Sequence, residues 1–305
     1  MSSSGSSACR VGRGLPHGRT RRLVAVAALL LGVLAAGPGR AEVVFAELRQ
    51  AVPVERVQAT LEQFARHQSR VAGYPGADSA ARFIEATFRQ IGLDRVTVHE
   101  YDVSVPMERS SGWLEVAGDS VRVPIHGLWP NLVKTPTLPE GGTDAHLIDG
   151  HDGSYTALDG KQPDGAFVLL DFNTGDAWLN SAYLGAAGIV FIEPDSTVYL
   201  EGERKFLSMP LDMPRFWVGK QEGLELRARL AAAEAGRLPV HLEYRMDWER
   251  RPACNILGVI PGSDPVMRQD VVVLESYYDA MSVVPALSPG AEQACGLTGL
   301  IELAH

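Results

Sequence analysis

Four consecutive apolar residues, Val271, Val272, Val273 and Leu274, run directly into Glu275, Tyr277, Tyr278 and Asp279. Such a run reads as a buried strand of a parallel sheet, because a strand covered on both faces has no polar side to alternate with. It places the chain in the α/β class. In open α/β sheets, ligands and metals bind at the carboxyl ends of strands, so Tyr277 and Asp279 are the first candidate site residues. Pro289, Gly290, Ala291 and Glu292 follow, and residues 297–305 carry a helical apolar pattern.

The rest of the chain supports an ordinary globular protein. Its 305 residues are 46% hydrophobic and 21% charged, enough for about two domains. A net charge of -9 argues against a nucleic-acid partner. The basic cluster at Arg19, Arg21 and Arg22 belongs to a leader: together with Arg10 and Arg13 it precedes an apolar run at 23–36, and Gly39, Arg40 and Ala41 offer a small-residue cleavage point. About 14 apolar residues are too few to span a bilayer comfortably. Residues 1–41 therefore read as a signal peptide of an exported protein, periplasmic or extracellular, with an uncleaved membrane anchor as the alternative. The pair Arg21-Arg22 suggests twin-arginine export, although its flanking residues fit that signal poorly. Removal of Cys9 with the leader leaves Cys254 and Cys295, either paired in an oxidising compartment or standing as two separate thiols.

Residues 54–91 read as two helices. Val57, Leu61 and Phe64 recur at helical spacing, as do Ala81, Ile84, Phe88 and Ile91, and Gly92 stops the second helix. Between them lies a polar loop with His67, Ser69, Arg70, Gly73, Pro75 and Gly76. A strand at 96–105 follows. Residues 113–123 alternate around Gly118 and Asp119 as a hairpin, and 124–142 is rich in Pro and Gly and reads as surface loop. Strands at 165–171 and 188–192 flank a helix at 178–184, a small βαβ unit. An Ala-rich helix at 224–235 and a strand at 240–244 close this part. His151, Asp152 and Ser154 stand too close together in a turn to align as a triad. Asp144, His146 and His151 lack metal-ligand spacing. Trp129, Trp178, Phe216 and Trp217 read as core or domain-contact residues rather than a ligand platform.

Several of these segments together resemble metallopeptidase family 28. The Ser-Arg-Val-x-Gly-x-Pro-Gly loop at 69–76, the Asn-Ile-Leu-Gly-Val-Ile-Pro-Gly segment at 255–262, the strand at 271–274 and the Pro-Gly-Ala at 289–291 come in that family's order. Residues 159–192 similarly resemble a protease-associated domain, which is often inserted in these peptidases. After the signal peptide at 1–41, the resemblance implies a helical entry at 42–105, a protease-associated domain at 106–250 and the start of a catalytic domain at 251–305. It also implies an exopeptidase of the aminopeptidase type, with zinc as cofactor and a peptide or protein substrate.

At the ligand positions the chain departs from the family. Tyr277 stands where a zinc-binding His is expected, Asp279 matches the Asp that orients that His, and Glu292 falls where a metal-bridging Asp is expected. A phenol must lose a proton of pKa ~10 before it coordinates well, so Tyr277 weakens the set Tyr277, Asp279 and Glu292 as zinc ligands. The family's further acidic pair and late His would fall beyond His305, so the expectation is a catalytic domain that is incomplete within these residues and inactive alone. A non-catalytic protein of the same fold, binding peptides or partner proteins, is the alternative.

Overall fold

A computed structural model of the chain describes residues 47, 51–109, 112–132, 134–206 and 211–305. The proposed leader lies outside the described residues. By its contacts the chain divides after Arg56, and the larger unit, Val57–His305, holds the barrel, the ribbon and the helices that pack on them.

Two helices, α1 at Val54–Ala65 and α2 at Pro75–Ile91, come where the apolar spacing puts them. Pro75 sits in the first turn of α2, where its missing N–H is not needed, and Gly92 ends the helix with φ 90°. Strand β1, Asp94–Glu108, then pairs antiparallel with the late strand β9, Met246–Val259, from Asp94 opposite Val259 to Glu108 opposite Met246. The expected strand at 96–105 is thus one half of a long two-stranded ribbon. Phe64, Ala80, Ile84 and Phe88 pack with Ala294, Leu297 and Ile301 of α7, Ala294–Ala304, and with Val96 and Ile256 of the ribbon. The apolar stripes of the helices find their cover in this way.

Between β1 and β9 the chain builds a closed seven-stranded barrel of mixed direction. Its strands are β2 Gly112–Val116, β3 Arg122–Gly127, β4 Thr143–His151, β5 Phe167–Asp171, β6 Gly188–Ile192, β7 Arg215–Val218 and β8 Arg237–Glu243. Around the barrel the order is β2, β3, β7, β6, β5, β4, β8. Parallel pairing joins β4 to β5, β5 to β6 and β6 to β7, and the other pairs are antiparallel. The strands with parallel neighbours on both sides, β5 and β6, are near-continuous apolar runs because both their faces are covered. Phe167, Leu169, Val190 and Ile192 join one core with Phe216 and Leu242, while Val168, Leu170, Ile189 and Phe191 join a second with Trp178 and Phe172. Short helices follow the parallel strands: α3 Tyr155–Leu158, α4 Leu179–Tyr183 and α5 Tyr199–Glu203. Helix α6, Lys220–Ala232, packs Leu226 and Leu230 on the first core.

The hairpin expected around Gly118 is β2 and β3. The loop expected from 124 begins later, because β3 continues to Gly127 where it pairs with β7. Where ribbon meets barrel, the largely buried Glu108 carboxylate accepts the Tyr244 hydroxyl at 3.1 Å and lies 3.2 Å from His126 Nδ1.

The strand expected at 271–274 is a correction. Residues 271–278 form no ladder, and Val271, Val272, Val273 and Leu274 are 84%, 85%, 71% and 63% exposed. A fully buried strand needs neighbours on both edges and cover on both faces. Among the described residues β9 pairs only with β1, and no third strand joins that ribbon.

Candidate functional site

The two stretches singled out by sequence, 69–76 and 277–292, meet in space, and the residue that joins them is Arg70. Its side chain is fully buried. The guanidinium donates from Nε to the Pro289 carbonyl at 2.8 Å, from Nη2 to the Gly290 carbonyl at 2.6 Å, and from Nη1 to the Tyr278 carbonyl. Its backbone adds two more bonds to the same segment: its N–H donates to the Ser288 carbonyl at 2.8 Å and its carbonyl accepts from the Ala280 N–H at 2.9 Å. Ser69 Oγ donates to the Pro285 carbonyl at 2.7 Å, and the Ser288 N–H donates to the Gln68 carbonyl at 2.9 Å.

Two glycines make this approach feasible. Gly290 has φ 62°, and a Cβ there would stand 2.4 Å from the Ala280 Cβ and 2.9 Å from Arg70 Nη2. At Gly76 a Cβ would lie 2.0 Å from the Ser69 carbonyl oxygen. Both positions exclude any side chain.

Asp279 is half-buried within the loop that Arg70 holds. Burial raises its carboxyl above the ordinary range, and the Arg70 charge pulls it back down. Burial lowers the Arg70 guanidinium, which the Asp279 charge opposes. Tyr278 points inward, donating its hydroxyl to the Cys254 carbonyl at 2.7 Å with Cys254 Sγ 3.4 Å away, and burial pushes its phenol well up. Tyr277 points the other way and is 83% exposed, and Glu292 is exposed at the start of the turn leading to α7. Cys254 and Cys295 are separate free thiols.

Zinc needs several donors converging at about 2 Å. Among the described residues no group of three or more His, Cys, Asp or Glu side chains is placed to hold a metal ion. With Tyr277 and Glu292 facing solvent and Asp279 half-buried in the loop, these residues do not fit a metal centre in this arrangement.

The other polar clusters have local uses. His151 Nε2 lies 3.1 Å from Asp149, Ser154 Oγ caps α3 by accepting from the Ala157 N–H, and Asp152 accepts from the Ser154 N–H. Asp144 pairs instead with His241 at 2.7 Å. Trp178 and Phe216 are core residues, as expected. Sequence reasoning missed Arg70 as the centre of the site. The signal for it was an arginine set among Ser69, Val71, Gly73 and Gly76, a stretch too tight for a solvated charge.

No protein-family profile matches the chain, and no curated protein matches it. Solved structures do. Two structures of BSAP, a zinc aminopeptidase from Bacillus subtilis, match with TM-scores of 0.54 and 0.52 at 17% identity, covering 82% of this chain and 56% of theirs. A family 28 peptidase precursor from Shewanella amazonensis matches at 13% identity with TM-score 0.49, covering 71% of this chain and 53% of its own. The chain thus spans a little over half the length of the structures it matches. The likeness is one of fold: the chain has a mixed α/β architecture resembling that of zinc aminopeptidases.

Proposed function

We propose that this is an exported protein of the zinc-aminopeptidase type, whose substrates are peptides, and that residues 1–305 alone do not hydrolyse them. The fold likeness to BSAP supports the peptidase type. The single observation against hydrolysis by these residues is the arrangement at 277–292, where Tyr277 and Glu292 look outward and Asp279 lies half-buried in the loop that Arg70 holds. The barrel at 112–243 fits a protease-associated role, docking a substrate or partner beside the peptidase-type ribbon. The leader at 1–41 supports export.

A second reading, a non-catalytic binder of peptides or partner proteins on the same fold, is favoured by Tyr277, an exposed aromatic ring at the position where the resemblance expects a ligand. The test is zinc content and amino-acid release from peptides for the purified chain and for Asp279→Ala and Glu292→Ala. The expected outcome is zinc at background and no release. Near-stoichiometric zinc that both variants lose would sink the inactivity proposal and restore a hydrolytic centre.

A further inference from the structure

We infer that Arg70 is the positioning residue of the candidate site, a built-in cation that holds the loop carrying Asp279 where a metal centre would otherwise be expected to organise it. The inference rests on reading 277–292 as the site, and it concerns what fixes that segment.

The geometry is specific. Three carbonyl oxygens, from Tyr278 at the start of the loop and from Pro289 and Gly290 at its end, converge on one planar guanidinium. Tyr278 precedes Asp279 directly, and Gly290 stands two residues before Glu292, so the fork ties together the two approaches to the candidate carboxylates. A guanidinium suits this task because its donors form a rigid planar fork, whereas an ammonium is a point charge and a neutral amide has too few donors. The cation is dehydrated, with Phe64 covering it at 5.3 Å from ring centroid to Cζ. Charge-assisted bonds to buried carbonyls are the strong class, and removing the donor leaves those carbonyls without a partner. The Arg70 backbone continues the attachment through Ala280 and Ser288. The hydrogen bonds of the Arg70 guanidinium all go to backbone carbonyls of the loop, so its geometric hold on the site runs through the loop.

The test is amide hydrogen exchange on the full purified chain, with and without a chelator, comparing wild type, Arg70→Gln and Arg70→Lys. Segment 278–290 reports on the site, and β5 and β6 in the barrel report on the fold. In Arg70→Gln, exchange in 278–290 is expected to rise about tenfold or more while β5 and β6 stay protected. Arg70→Lys is expected to recover part of the protection, a graded rescue that loss of bulk alone would not produce. Chelator treatment of the wild type is expected to leave 278–290 unchanged. Unchanged exchange in Arg70→Gln would overturn the inference, as would a chelator effect equal to that of the substitution. Should Arg70→Gln also deprotect the barrel, Arg70→Lys decides: with β5 and β6 protected, faster exchange confined to 278–290 supports the inference, and exchange there unchanged from wild type overturns it. Zinc content and peptide hydrolysis are separate readouts, so a failed peptidase assay and a failed positioning role are distinguishable.

Discussion

At the scale of single residues, some buried polar side chains are held by one or two defined partners, and Tyr244 shows how much rests on one hydroxyl. Its ring packs edge-on to Phe216 with centroids 5.1 Å apart, and its O–H donates to Glu108. Burial, with the nearby Glu108 charge adding to it, pushes the phenol far up, so it stays protonated and donating at any ordinary pH. Tyr244→Phe keeps the ring and removes only the donor. The expected cost is about 1–3 kcal/mol, the desolvation of a carboxylate left with His126 alone. Urea unfolding checks this: the midpoint should fall with the slope unchanged, and an unchanged midpoint would mean that His126 or water compensates fully. Arg70 follows the same logic with more partners, which is why its position matters more than its charge alone.

At the scale of elements, strand pairing decides which side chains meet, and the β4–β8 pair gives a pH-dependent case. Asp144 stands directly opposite His241, with 2.7 Å between Oδ1 and Nδ1. The hydrogen bond that His241 donates to the Asp144 carboxylate leads the causes that raise the His241 pKa, and Glu243 contributes further. A histidine whose folded pKa is raised stabilises the fold below its unfolded pKa of about 6.5, and that contribution is lost as pH rises through the folded value. The stability difference between wild type and Asp144→Asn should therefore be present at pH 6 and vanish by about pH 9. Since Asp144 is largely exposed, the difference should be small and should shrink further in high salt. A difference growing above pH 8 would contradict the pairing.

The same scale explains what could be read in advance. Helices α1 and α2, the β2–β3 hairpin and the parallel strands β5 and β6 were legible because their signals are local: helical spacing at Ile84 and Phe88, Gly118 at a turn, unbroken apolar runs at 167–170 and 188–192. Pairing of β1 with β9 was not legible, since the partners lie more than a hundred residues apart and alternation names no partner. Barrel closure fails for the same reason. At the candidate site the two motif stretches were legible as motifs, whereas their meeting through Arg70 depends on carbonyl positions, which side-chain patterns do not record.

At the scale of the whole molecule, the segment that promised a central strand is the largest exception to burial. Val271, Val272, Val273 and Leu274 together expose more than any comparable apolar run among the described residues, whereas in the ribbon Leu257 is 49% and Val98 39% exposed. A β-branched run without charge or proline is an open template for edge pairing with another chain. Two consequences separate an exposed segment from a buried strand. Val272→Lys combined with Leu274→Glu should change unfolding stability by no more than about 0.5 kcal/mol, as surface substitutions do, whereas burying two charges in a central strand would cost several kcal/mol. The same pair should raise the concentration at which the protein begins to scatter light by about severalfold, because it places charge in the exposed run. Denaturant unfolding and static light scattering on one preparation measure both. A large loss of stability would mean that residues 271–274 are covered in solution, and that the cover comes from a surface these described residues do not supply.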